Sequence, residues 1–415
     1  MVTLDAWEKV RLGDLGVTYG GLSGKSSPDF GNGDAAYVTF MNVIENVVLR
    51  LSGTDRVRVR PGESQSRLRA GDVIFNGSSE TPDEVGLGSA VPGELEGTHL
   101  NSFCFGFRPH PGAQLDARFF AYLTRSPAGR AIIRPMAQGS TRYNLAKTNL
   151  LNGHFFLPAI KEQETIAEAL GSADAAIEAL DALIAKKRDV KQAAMQQLLS
   201  GRARRPGFTG DWGQGAIGSL FSFHRTIALS RAQLSDNAEI GYIHYGDIHA
   251  KWGTHLDLSR ESLPRAEPRL AGSATLVADG DLVLADASED IEGVGRAVEV
   301  CGVGQQKVVA GLHTVLLRPR VGVFASGYVG LLSETPEFRL QARTLAAGLK
   351  VYGLSKSSLR QIVVRVPPLK EQEAIAGVLL DMDGEIEALV AQREKTRLVK
   401  KGMMQELLSG RVRLV

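Results

Sequence analysis

The feature that most constrains this chain is a direct internal repeat. Pro158-Ala159-Ile160-Lys161-Glu162-Gln163-Glu164-Thr165-Ile166-Ala167 returns as Pro367-Pro368-Leu369-Lys370-Glu371-Gln372-Glu373-Ala374-Ile375-Ala376, displaced by 209 positions without a gap. The match runs on to Leu198-Leu199-Ser200-Gly201-Arg202 and Leu407-Leu408-Ser409-Gly410-Arg411. Over 158–204, 26 of 47 aligned pairs are identical, which two unrelated helices of similar composition would not give. A chain of 415 residues has room for two or three domains, and the repeat orders them as globule, helix, globule, helix.

The same offset reaches faintly into the globules. Gly139, Tyr143, Leu145, Lys147 and Leu150 recur as Gly348, Tyr352, Leu354, Lys356 and Leu359; Gly71-Asp72 and Ser79-Glu80 recur as Gly280-Asp281 and Ser288-Glu289, and Trp7 and Trp212 open the two units. The residues between differ almost completely, as two copies of one fold with two surfaces would. Runs such as Tyr37-Val38-Thr39-Phe40 and Tyr242-Ile243-His244-Tyr245 predict strands, and Asn76-Gly77-Ser78-Ser79 predicts a turn. The expected class is α+β: two mixed α/β globules separated by two long antiparallel α-helices forming a coiled coil. The expected segments are 1–156, 157–205, 206–365 and 366–415.

Both repeats carry helix start and stop chemistry, with proline upstream, acidic first turns, basic last turns and glycine at Gly201 and Gly410. Ile166, Leu170, Ile177, Leu180 and Ile184 form an apolar stripe in the first, and Ile375, Leu379, Met382, Ile386 and Leu389 repeat it in the second. About 40 residues at 1.5 Å each make a helix of roughly 60 Å, too long for the inside of one small globule. Each helix is acidic in its first half and basic in its second, so antiparallel pairing sets opposite charges face to face.

Composition excludes several classes. Hydrophobic residues at 43% and charged residues at 23% are globular values, no run is long enough to span a bilayer, and Asp5 and Glu8 stand where a signal peptide needs a basic start. Two cysteines, Cys104 and Cys301, make neither a disulfide framework nor a thiolate zinc site; the expected location is the cytoplasm. The net charge of +2 gives no direct warrant for an anionic partner, so any nucleic-acid binding must come from local patches.

Motifs for chemistry are weak. Gly20-Gly21-Leu22-Ser23-Gly24-Lys25-Ser26 is one residue short of a phosphate-binding loop, and Pro28 and Gly31 follow where a helix should. His244, His249 and His255 are spaced by five and six, which does not place all three on one helical face. The chain is read as doing no chemistry. For nucleic acid, cations are interleaved with hydrogen-bonding and aromatic residues at Ser140-Thr141-Arg142-Tyr143-Asn144 with Lys147, and at Lys350-Val351-Tyr352 with Lys356 and Ser358. Arg and Asn read purine edges bidentately, whereas Lys, Ser and Thr hold phosphates. Arg56, Arg58 and Arg60 alternate on one strand face, equally a phosphate stripe or a plain polar face.

With the duplicated Lys-Glu-Gln-Glu-x-Ile-Ala segments after Pro158 and Pro367 and the Leu-Leu-Ser-Gly-Arg ends, the chain resembles a specificity subunit of a type I restriction-modification system over nearly its whole length. The opening 7–14 and the Gly21-Leu22-Ser23-Gly24-Lys25 loop resemble the start of that family's first target recognition domain. The resemblance implies a non-catalytic reader of double-stranded DNA whose two recognition domains each contact half of a split target. Lys25, Arg142, Tyr143, Asn144 and Lys147 are the candidate contacts in the first, and Lys350, Tyr352 and Lys356 in the second. It implies helices that set the distance between halves and dock two DNA adenine methyltransferase subunits, with restriction motor and nuclease subunits joining them. S-adenosylmethionine and ATP with magnesium would then sit on those partners, none on this chain, and no membrane is involved. The alternative is a coiled-coil adaptor joining two protein-binding modules without DNA contact.

Overall fold

The computed structural model describes residues 7–414; residues 1–6, part of the stretch expected to carry no secretion signal, lie outside the described residues. The chain divides into two compact units, Met1–Asp181 with Ala391–Val415, and Ala182–Val390. The division runs through both long helices, α1 (Ile160–Leu199) and α2 (Leu369–Leu407), so each unit holds one globule, the start of one helix and the end of the other.

In the first unit an antiparallel sheet runs in the order Gly16–Gly20, Cys104–Pro109, Val73–Asn76, Gly88–Ala90. The ribbon Glu8–Arg11 with His154–Leu157 brings the globule's two ends together and delivers the chain to α1. The second unit repeats this plan, with Phe221–His224, Thr314–Pro319, Leu282–Ala285 and Ala297–Cys301 in the sheet, a fifth strand His255–Asp257 added parallel at its edge, and Gly213–Ala216 paired with Val363–Val366 as the ribbon. Two of the faint repeats find their reason here. Asp72 and Asp281 are buried carboxylates that accept from Arg108 Nε and Arg318 Nε, each at 2.8 Å, and these hydrogen bonds push both guanidinium pKa values up. Gly71 and Gly280 take φ of +83° and +82° immediately before them, a turn that favours glycine.

The apolar starts of the helices are spent on the globules. Ile166 and Leu170 join Phe119, Phe120, Tyr122 and Phe155 in the first core, which Leu407 and Leu408 from the end of α2 complete. Ile375 and Leu379 join Phe221, Tyr328 and Phe338 in the second, which Leu198 and Leu199 from the end of α1 complete. Ile184 is also buried, whereas Ile177, Leu180, Met382, Ile386 and Leu389 are only half-buried. Two helices cover one side of each other and leave the flanks of the stripe to solvent.

Charge sets the direction as the repeat's polarity requires. In the first unit Glu162 pairs with Arg413, Asp174 with Lys400, and Asp181 with Arg393 and Arg397. In the second, Glu371 pairs with Arg204, Asp383 with Lys191, and Glu385 with Lys187. The first two pairs of each set are the same pairs one repeat apart, and α1 and α2 run antiparallel. The Lys-Glu-Gln-Glu motif is a docking device. Its Glu162 or Glu371 is buried and accepts hydrogen bonds from an arginine in the segment that follows the other helix, and its Gln163 or Gln372 is buried and bonds the backbone before the helix and the globule beside it. Gly201 and Gly410 end the repeats at φ +67° and +72°.

Three local expectations change. The strand Phe30–Val38 stops before Thr39, whose hydroxyl accepts from Asn42 N and starts the helix Phe40–Glu45. His244 likewise accepts from Gly246 N and caps the helix Tyr245–Ala250. The stretch expected as a turn after Asn76 continues as the short strand Ser78–Ser79. Among the described residues no helix is long and apolar enough to cross a membrane.

Candidate nucleic-acid interface

The two clusters singled out in the sequence occupy the same hairpin, built twice. In the first unit Ala137–Gln138 and Tyr143–Leu145 pair antiparallel, and the second of these also pairs with Ser78–Ser79. Gly139 at φ +129° makes the turn, and a Cβ there would lie 2.0 Å from Arg142 O. In the second unit Ala347 bridges Gly353, Tyr352–Gly353 pairs with Ala287–Ser288, and Gly348 at φ +142° would set a Cβ 1.9 Å from Val351 O. The buried leucines Leu145 and Leu354 anchor the strands, donating their N–H groups to Gly77 O and Asp286 O at 3.0 and 2.8 Å. The repeated residues are therefore largely frame.

The tips carry the differences. Ser140, Thr141 and Arg142 are exposed in the first unit; Leu349, Lys350 and Val351 stand in their places, with Leu349 96% exposed. Tyr143 and Tyr352 are half-buried at the hairpin base, and Asn144, Lys147 and Lys356 are exposed beside it. Lys147 reaches the strand end at Gly20-Gly21, where a Cβ on Gly20 would lie 3.3 Å from its Nζ and one on Gly21 would lie 2.0 Å from Asn101 O. Those glycines serve close approach of neighbouring chain. The structure does not put Lys25 with the others: its side chain is 2% exposed, pairs with Glu63 and donates to Arg58 O at 2.6 Å. Lys25 was expected as a DNA contact of that loop; in the fold a neighbouring carboxylate and carbonyl hold its ammonium. Arg56, Arg58 and Arg60 are exposed; Arg56 donates to Asp34 O at 3.1 Å and Arg60 lies 3.9 Å from Asp29.

Sequence reading missed one position in each unit. Phe103 is 58% exposed and lies under Arg142, whose guanidinium carbon is 5.7 Å from the ring centroid, a cation–π arrangement. Its O accepts from Gly77 N, and in the second unit His313 O accepts from Asp286 N in the same way, so His313 is its counterpart. The offset there is 210 rather than 209, which hides the match from a gapless comparison.

The histidines are used singly. His244 caps a helix, His249 Nε2 bonds Ala287 O, and His255 Nε2 bonds Gly327 O. Among the described residues no group of three His, Cys, Asp or Glu side chains is placed to hold a metal ion.

No family model matches the chain. It is 21% identical over 98% of its length, and 94% of the relative's, to a putative type I restriction enzyme specificity subunit of Methanocaldococcus jannaschii. Among solved structures, the S subunit of a type I restriction-modification system from M. genitalium matches 98% of this chain and 97% of its own at 13% identity, with a TM-score of 0.56. A chain from work on complex assembly and conformational transition of the type I R-M system matches 97% of both at 15% identity, with a TM-score of 0.57. End to end in sequence, and in fold, the chain is thus similar to the specificity subunits of type I restriction-modification systems, the likeness to which its repeats point.

Proposed function

We propose that the chain is a non-catalytic specificity subunit that reads the two halves of a bipartite DNA target, one with each globule, and directs adenine methylation and restriction by partner subunits in the cytoplasm. The observation that carries this reading is the hairpin built twice on one frame with different exposed tips. A single-target or purely structural pair of globules has no reason to keep this hairpin frame while changing the residues at its exposed tip. In the first half-site Arg142 and Asn144 supply donors that match purine edges, and Lys147 supplies a cation for phosphate; in the second, Lys350 and Lys356 supply the cations beside Tyr352. DNA adenine methyltransferase subunits, two per chain, and the restriction motor and nuclease subunits are the proposed partners, and S-adenosylmethionine, ATP and magnesium belong to them.

The test has two arms. Purified chain, with and without its methyltransferase partner, is titrated with duplexes at several salt concentrations, and methylated adenines are mapped in a host carrying both. The expected result is binding that falls steeply with salt and methylation confined to a two-part motif. An adaptor without DNA contact predicts neither. Within this frame Lys25→Ala is expected to cost about 1–3 kcal/mol of stability, as loss of a charge-assisted bond does, without changing the salt dependence. A shallower salt slope at unaltered melting temperature would return Lys25 to a phosphate.

A further inference from the structure

The second unit holds a carboxylate where the first has none. Asp286 occupies the place of Gly77 in the hairpin frame, donating its N–H to His313 O and accepting from Leu354 N. Its Oδ1 lies 3.5 Å from His313 Nδ1, and its side chain is 28% exposed. Burial pushes the Asp286 pKa up, while the charges of His313 and Lys356 act in the opposite direction.

His313 is the one non-glycine residue among those described with a left-handed backbone, φ +52°. Glycine would sit there without strain, so a side chain kept at such a position points to a use for that side chain. The imidazole is half-exposed and packs edge-on against Tyr245, ring centroids 5.3 Å apart, while Tyr245 packs in turn on His249, which is tied to Ala287 O at the hairpin base. The pair is thus held on the second hairpin's rim, where the first unit presents Phe103 and, at Gly77, no side chain.

On a surface that faces DNA a carboxylate is repelled by phosphates and is retained where it accepts a hydrogen bond from a base. In the major groove the donors are the exocyclic amino groups. We propose that Asp286, beside His313, is the acceptor by which the second unit reads an exocyclic amino group, cytosine N4 or adenine N6, in its half of the target. His313 acts as a positioning residue that orients the carboxylate. This inference rests on the reading of the chain as a DNA reader.

Bound duplexes are selected from a library randomised in both halves, using the full chain and its Asp286→Ala and Asp286→Gly variants. Gly77 shows that the frame accepts glycine, so Asp286→Gly keeps the test open if the alanine variant fails to fold. The expected result is a loss of about ten- to a hundredfold in discrimination at one base pair of one half-site, with the other half unchanged. Whether cytosine or adenine was preferred at that base pair names the donor. His313→Asn, which tolerates the left-handed backbone, is expected to weaken the same preference and no other. An unchanged profile in folded variants overturns the inference while leaving the proposed function standing. A uniform rise in affinity without a change of preference, the mark of a merely repelling carboxylate, overturns it too. Absence of any half-site preference in the unaltered chain sinks the functional reading itself.

Discussion

Ending the chain at residue 390 is expected to unfold the unit that contains the N-terminal globule. Leu407 and Leu408 are buried in the core around Phe119 and Phe120, and loss of each buried leucine costs about 2–5 kcal/mol. Glu162, itself buried, would also lose its partner Arg413. Asp174 would keep the Tyr122 hydroxyl but lose Lys400. The loss of the two leucines alone is comparable with the roughly 5–15 kcal/mol by which domains are stable. Hydrogen exchange followed along the sequence is the measurement: 7–157 should lose protection while 213–366 keeps it. In the full chain Leu408→Asp should reproduce the effect, and Glu371→Ala should place it in the other unit by stranding Arg204 and Trp212 Nε1, which share that carboxylate. Protection unchanged after truncation would mean that the globule does not depend on the end of α2.

Arg142→Ala is expected to relax discrimination at one base pair of one half-site by about 1–3 kcal/mol and to leave the other half-site alone. The guanidinium is exposed at the tip of a hairpin whose turn admits only glycine, so the change removes a contact without disturbing the frame. Lys147→Ala should differ in kind, weakening all sequences alike and lowering the salt slope by about one. Phe103→Ala, which takes away the ring beneath Arg142, should lower the same preference as Arg142→Ala, because a guanidinium that loses its platform spends more time in other rotamers. Selection from a library randomised in both halves reads all three. Equal binding of the Arg142→Ala protein to every variant of that half-site, at unaltered affinity, would remove Arg142 from the interface.

The stripe of apolar residues and the polarity of charge determined the two helices, their length and their antiparallel order by themselves. Those properties are periodic along the chain and need no partner to be read, and glycine at Gly201 and Gly410 marks the stops in any context. The duplicated hairpin was half legible: Gly139 and Gly348 announce a tight turn, and Tyr143 and Tyr352 mark the same place. What only tertiary structure decided is which of these side chains remain available. Lys25 reads as a free cation until Glu63, distant in sequence, closes on it, and Ile166 reads as a helix-pairing residue until the phenylalanines of the globule claim it. The rings at Phe103 and His313 reach the hairpins through backbone bonds to Gly77 and Asp286 across a one-residue change of offset. Burial and pairing are set by residues far apart in the chain, so periodicity reveals the scaffold while the surface that faces a ligand emerges only when the scaffold is folded.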